Sequence, residues 1–446
     1  MPNHAKLLLN KVINEDDVKA LIRYGVDTSH MPTKVDVDTL NFIENYAKEN
    51  GGRAPSYATV SDNVVGFEYM PEISDSYEYL SKRVKAFAAK KAIVDLFDSG
   101  EFERNLNEMD GHTFVEEWLP SVLDSVKIRT SVRTNVGTDI KTGADKMLEE
   151  YERRKAGESF NIWKSRYSAI GEYISGNMYT VFGESGRGKS IFTLEDAIYA
   201  AEQGARVLIW AMEMGWYELM VRIYTSISGG LGVSNAFING VDMSVGFNAR
   251  DIRTGNLNAE FEEAFKAFLR NINDHISGNI TVRGVDDEDF TDRSLRALEA
   301  DIERTNADFV VIDPFYYLHY EKNTSRTTGG DAANTSMRLR ALTGRLDVVT
   351  IAITQSDVKK TETNDDGVRE LRLPDRDGVR KTTNLLDDAA VLIGIDSDYQ
   401  QGLGVVGVLK GRDGGEGDIS NVLYLPQYGV VKEIEMTEDD ASMFKF

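Results

Sequence analysis

Gly183-Glu184-Ser185-Gly186-Arg187-Gly188-Lys189-Ser190 satisfies every fixed position of the pattern G-x-x-x-x-G-K-[ST], and its flanks decide how it is read. Before it, Met178-Tyr179-Thr180-Val181-Phe182 is apolar and rich in β-formers. After it, Ile191 to Gln203 is dense in Ala and Leu and stops at Gly204. Strand, loop and helix in that order are the setting in which such a loop cradles phosphates. The glycines let backbone N–H groups close around an anion, and the helix aims the positive end of its dipole at the same place. Lys189 is expected to reach the β- and γ-phosphates of ATP or another nucleoside triphosphate, and the Ser190 hydroxyl to ligate Mg2+.

The chain has 446 residues, so two or three domains are expected. No run of about 18 apolar residues occurs, which argues against a membrane helix and a membrane partner. The first residues, MPNHAKLLLNKVINEDD, hold too short an apolar stretch for a secretory signal and turn acidic at once. Cysteine is absent, which excludes disulfides, a cysteine zinc ribbon and thiol catalysis. These features together point to a cytoplasmic setting. With 51 basic and 73 acidic side chains the net charge is −22, which argues against broad, non-specific wrapping of nucleic acid. A basic lining inside a narrow channel stays open, because net charge does not locate charges.

Residues 1–126 read as a helical docking or oligomerisation domain, with a cap that serves stability alone as the alternative. Leu7-Leu8-Leu9, Val12, Ile13, Val18, Leu21 and Ile22 have helical spacing, continued by Leu40, Ile43 and Tyr46 before Gly51-Gly52. Tyr77, Leu80, Val84, Phe87 and Ala88 mark a further helix running to Lys91, before the apolar run Ile93 to Phe97. Residues 127–159 suit a linker, in which Ala144 to Lys155 is a strong helix former by composition. From residue 160 to 446, apolar β-runs at 178–182, 206–212, 309–313, 348–354, 389–395 and 404–409 alternate with helical stretches. That alternation predicts an α/β domain with a mainly parallel sheet.

In such sheets ligands lie at the carboxyl ends of the strands. Glu213 follows the run 207–212; it either handles the attacking water or is an ordinary acidic residue at a helix start. Asp313 ends Phe309-Val310-Val311-Ile312 and is expected to hold Mg2+. Gln355 follows 348–354, where an amide either contacts a γ-phosphate or is an ordinary surface glutamine. Val405 to Arg412 reads as a strand returning through Ile419 to Leu425, and Lys410 and Arg412 suit either a clamp on a transferring phosphoryl group or a basic sheet edge. Between two strands, Lys359, Lys360, Arg369, Arg372, Arg376, Arg380 and Lys381 concentrate cations that can follow a phosphate backbone; a solvated loop is the alternative. The acidic residues between Glu433 and Asp440 suit a solvated terminus or a partner site.

Taken together these residues resemble the DnaB-like replicative helicases, phage members of the group above all. The resemblance covers most of the chain. Gly183 to Ser190 is similar to the family's nucleotide loop, and Trp210-Ala211-Met212-Glu213-Met214 to its strand ending S-L-E-M. It implies a catalytic role for Glu213, a family Arg at Arg222, a magnesium Asp at Asp313, a sensor Gln at Gln355, and a K-x-R hairpin at Lys410-Gly411-Arg412 that enters the next subunit's site. A DNA-contacting loop reading R-E-S-G in the family corresponds here to Arg380-Lys381-Thr382-Thr383, which keeps the Arg and lacks the Gly. The resemblance further implies a RecA-like ATPase domain behind an all-α N-terminal domain and a linker helix that packs on an adjacent subunit. A hexameric ring translocating on single-stranded DNA, with possible loader and primase partners, would follow. A strand-exchange recombinase of the RecA type and a nucleotide-gated scaffold without unwinding are the alternatives.

Overall fold

The computed structural model describes residues 4–131, 137, 139–141, 143–238, 241–323, 329–356, 369–375, 383–412 and 414–434. The chain divides into two compact units between Met147 and Leu148. The first holds α1 (His4–Asn14), α2 (Lys19–Arg23), α3 (Lys34–Glu49), α4 (Tyr57–Asn63), α5 (Tyr77–Asp98), α6 (Glu101–Glu108) and α7 (Leu119–Thr130); α8 (Ala144–Lys155) spans the division. Several starts are fixed by side-chain caps: Thr33 accepts from Asp36 N, Ser56 from Thr59 N and Ser76 from Tyr79 N. The apolar positions with helical spacing meet in one core of Leu8, Leu9, Val12, Leu21, Leu40, Ile43, Val60, Leu80 and Val84. Unlike the expectation, α5 does not end at Lys91. Its Ile93 to Phe97 run contains no Gly or Pro, and the chain first turns left-handed at Gly100.

In the second unit, β1 (Ile162–Lys164) pairs antiparallel with β2 (Glu172–Ile174). There follow β3 (Met178–Gly183), α9 (Lys189–Glu202), β4 (Arg206–Ala211), α10 (Trp216–Leu231), and the hairpin β5 (Ser234–Ile238) and β6 (Val241–Val245). Next come α11 (Ala249–Thr254), α12 (Ala259–Arg270), β7 (Asn279–Gly284), α13 (Leu295–Thr305) and β8 (Phe309–Asp313). Then α14 (Gly330–Leu346), β9 (Val349–Gln355), α15 (Thr383–Asp388), β10 (Val391–Asp398), β11 (Leu403–Gly411), β12 (Ile419–Leu425) and β13 (Val430–Ile434) complete the unit. Nine strands form one sheet in the order β13-β12-β11-β10-β3-β9-β8-β4-β7. Pairing is parallel from β10 through to β7 and antiparallel from β10 to β13.

The period-two alternation of the central strands sends side chains into two separate cores. Val207, Ile209, Phe309, Val311, Val349 and Ile351 face one core, with Phe192 and Ile198 of α9, Ile223 and Ile227 of α10, and Phe268 of α12. Leu208, Trp210, Val310, Ile312 and Ala352 face the other, with Leu298 and Ile302 of α13, Leu339 of α14 and Leu385 of α15. Burying each such side chain contributes about 1.5–3 kcal/mol, so strands apolar on both faces belong at the centre of a three-layer α/β/α unit. All the expected runs appear as strands, within a few residues. The edge strands β7 and β13 and the hairpin β5–β6 were not expected, since none of them is an apolar run between breakers.

Candidate functional site

The loop after β3 turns on two residues. Gly186 (φ 75°) and Gly188 (φ 85°) are left-handed, where other residues are strained. Two close approaches add to this. A Cβ on Gly183 would lie 2.4 Å from the Ile395 carbonyl oxygen, and one on Gly188 would lie 2.7 Å from the Tyr424 Oη. Lys189 opens α9, buried, and its Nζ donates to the Glu184 carbonyl at 2.8 Å. Burial pushes the lysine's pKa down, while the carboxylates of Asp313, Glu213 and Glu184 pull it back. Ser190, next in the helix, lies near enough to the Asp313 carboxylate to draw its pKa down. Asp313 ends β8 and is buried. Burial raises its pKa to about 6, the Ser190 hydroxyl opposes this, and Glu213 adds to it. Ser185 lies exposed in the same loop.

Glu213 stands two residues past β4, whose last residue, Ala211, pairs with Asp313. Gln355 ends β9 directly opposite Gly183 of β3. Sequence reasoning missed the group that joins them: Tyr316 donates its hydroxyl proton to Glu213 Oε1 at 2.9 Å and accepts from Gln355 Nε2 at 2.6 Å. The nearest sequence signal was the aromatic run Phe315-Tyr316-Tyr317 just past Asp313. Four strand ends adjacent in the sheet (β3, β9, β8 and β4) therefore present Lys189 with Ser190, Gln355, Asp313 and Glu213 along one rim.

Arg222 lies on α10, paired with Glu218 at 2.9 Å, and is near enough to Asp313 to draw that carboxyl's pKa down. It also lines a cavity of about 320 Å3 with Ile191 and Leu194 of α9, Arg250, Tyr399 and Gln427. On β11, Lys410 Nζ donates to the carbonyls of Leu386 (2.9 Å) and Asp387 (2.8 Å) at the end of α15. Arg412, one residue past β11, is exposed, and its N–H donates to the Ala390 carbonyl at 3.1 Å.

Of the cation-rich stretch, Lys359, Lys360, Arg376, Arg380 and Lys381 lie outside the described residues. Two others are described. Arg369 is no surface cation: its Nη2 meets both carboxylate oxygens of buried Asp396, at 2.6 and 2.7 Å. Arg372 gives its main-chain N–H to the same carboxylate at 2.9 Å, and its exposed guanidinium pairs with Glu370. On the far side, Arg187 of the loop after β3 approaches Asp396 to 3.9 Å. One buried carboxylate thus lies between the loop and the strap 369–375, which crosses two glycines. Pro374 lies against Gly394, and Leu373 fills the place a side chain on Gly407 would take.

Comparison with protein-family models and with curated proteins finds no match. Among solved structures, a DnaB-like replicative helicase, described with its interactions with primase, is 16% identical. It covers 97% of this chain and 99% of its own, at a TM-score of 0.61. A second solved structure, described as an ATPase domain, is 18% identical over 67% of this chain and 100% of its own, at a TM-score of 0.49. The RadB recombinase is 15% identical over 60% and 96%, at 0.33. The first likeness shows the fold over nearly the full length: a RecA-like α/β unit preceded by a helical one.

Proposed function

We propose that the chain is the motor subunit of a ring-shaped replicative DNA helicase, hydrolysing ATP while moving along single-stranded DNA and parting the duplex ahead. The observation that carries the reading is the row of Lys189, Ser190, Gln355, Asp313 and Glu213 on four adjacent strand ends, around a loop with two left-handed glycines. Those are the parts that phosphoryl transfer to water needs: anion donors, a hard-oxygen metal site, a γ-phosphate contact and a carboxylate for the water. The full-length fold likeness supports a helicase over a recombinase.

In this reading the backbone from Gly183 to Gly188, with Glu184, Ser185, Gly186 and Arg187, encloses the phosphates. Lys189 leaves the Glu184 carbonyl for the β/γ oxygens, and Gln355 donates to the γ-phosphate. Glu213 orients the attacking water and takes its proton. Bound Mg2+ would neutralise charge developing on the β- and γ-oxygens, held by Ser190 and Asp313. The proximity of this hydroxyl to the carboxylate, two hard-oxygen donors, fits that role. Among the described residues no group of three or more His, Cys, Asp or Glu could hold a metal. Arg222 adds positive charge at the site's edge. Lys410 and Arg412 act on the nucleotide of the next subunit, in a ring of the sixfold type that the resembled family implies, closed by α8. Its exposed Met147, Leu148 and Tyr151 offer an apolar stripe. Arg372, with Lys359, Lys360, Arg376, Arg380 and Lys381, contacts the DNA backbone. A primase and a loader are the partners, and the cytoplasm of a phage-infected bacterium is the setting. Among the described residues no helix is long and apolar enough to cross a membrane.

The test is ATP hydrolysis with and without single-stranded DNA, beside Lys189→Ala and Glu213→Gln, with forked-duplex unwinding by the same preparations. DNA-stimulated hydrolysis lost in both variants, together with strand separation, is the expected result. Hydrolysis indifferent to DNA and no unwinding would replace the motor with a nucleotide-gated scaffold.

A further inference from the structure

Tyr316 sits in a single helical turn, Phe315–Tyr317, immediately past β8. Its neighbours fix that turn. Phe315 and Leu318 are buried in the core beneath α13 and α14, and the Tyr317 N–H returns to the Pro314 carbonyl at 3.2 Å. The ring of Tyr317 meets that of Tyr316 edge-on at 5.0 Å. A phenol on such a base has little freedom, so its hydroxyl is a fixed point between two side chains on longer, looser stems.

The hydroxyl carries one proton. An ionised carboxylate can only accept, so that proton goes to Glu213 and the phenolic oxygen must in turn accept. Gln355 is thereby obliged to turn its NH2, not its carbonyl, toward Tyr316. The second N–H of that NH2 is then the group a γ-phosphate oxygen can take. Burial and the Glu213 carboxylate both raise the pKa of the Tyr316 hydroxyl, which keeps its proton at neutral pH. Hydrogen bonds in series polarise one another, so a charge at one end of this chain is felt at the other.

We propose that Tyr316 is a positioning residue for hydrolysis: its hydroxyl ties the Glu213 carboxylate to the Gln355 carboxamide, so that contact with a γ-phosphate and placement of the attacking water occur together. The inference rests on the ATPase reading above. It needs neither the ring nor DNA.

The experiment is steady-state ATP hydrolysis by the full chain carrying Tyr316→Phe, alone and combined with Glu213→Gln or Gln355→Ala. Phenylalanine keeps the ring and its packing, so the melting temperature stays near that of the wild type. Misplacing a catalytic group slows turnover, and kcat is expected to fall on the order of ten- to a hundredfold with KM changed less than about twofold. In the Glu213→Gln background the second change costs nothing further, and in the Gln355→Ala background its cost shrinks to under about threefold. Wild-type kcat in Tyr316→Phe overturns the inference, as do losses that multiply independently or appear in KM alone. Wild-type hydrolysis by Glu213→Gln, or none by the unaltered chain, would instead remove the ATPase reading on which the inference stands.

Discussion

Glu195, nearly two turns into α9, is buried beside Asp196 with Arg166 Nε 3.8 Å away. Burial drives its pKa from an ordinary 4.5 up to about 7, against the pull of Arg166; Asp196 and Glu202 add to the rise. Burial also raises Asp196, to about 6, although Tyr173, the Arg166 N–H and Ser165 all donate to it. The folded chain therefore holds more protons than the unfolded one between about pH 4.5 and 7, and these groups make stability fall as pH rises through that window. Glu195→Gln removes one of them and leaves Arg166 its partner Glu202 at 2.9 Å. At pH 8 it is expected to raise stability by roughly 1–3 kcal/mol, with the gain gone below about pH 4.5. Thermal melts across pH check it; a gain equal at pH 4 and pH 8 would show that charge is not the cause. At this scale the sequence is legible where chemistry is local. The pattern from Gly183 to Ser190 specifies its own backbone, whereas nothing in Phe315-Tyr316-Tyr317 tells which ring turns toward Glu213.

The strap 369–375 belongs to the scale of elements. Its cations suggested a single solvated or DNA-facing surface, yet Arg369 is held by Asp396 of β10, to which Arg187 also comes close. Removing the charge leaves a largely buried guanidinium without its counter-ion, so Asp396→Asn is expected to destabilise the second unit by about 3 kcal/mol. A urea midpoint equal to that of the wild type would mean that the ion pair contributes nothing. Strand positions were legible because β3, β4, β8 and β9 are buried on both faces and so read as continuous apolar runs. The edge strands were not, because half of each faces outward. The contact of the strap with Gly394 and Gly407 joins segments far apart in the chain, which no local pattern records.

For the whole molecule, the role proposed for the K-x-R hairpin would make hydrolysis a property of neighbours. Within one chain Lys410 is occupied by the carbonyls that end α15, a favourable place for a cation. If Arg412 serves the next subunit, Arg412→Ala and Lys189→Ala chains should each be inactive alone. Mixed in one preparation they should regain hydrolysis, because each supplies what the other lacks; a trans-acting arginine is worth about 10³–10⁵ in rate. A mixture as inactive as its parts would place Arg412 on its own chain's nucleotide. The rim itself has a further consequence. Neighbouring strands are about 4.8 Å apart, so the three steps from Gly183 on β3 to the end of β4 mark off about 14 Å. If the nucleotide of the proposed function lies along this rim, the backbone lattice would act as a graduated rule beside it. A ligand one phosphate too short would stop before the last marks, whatever side chains are mounted there, so substitutions would change how fast the length is acted on without changing how it is measured.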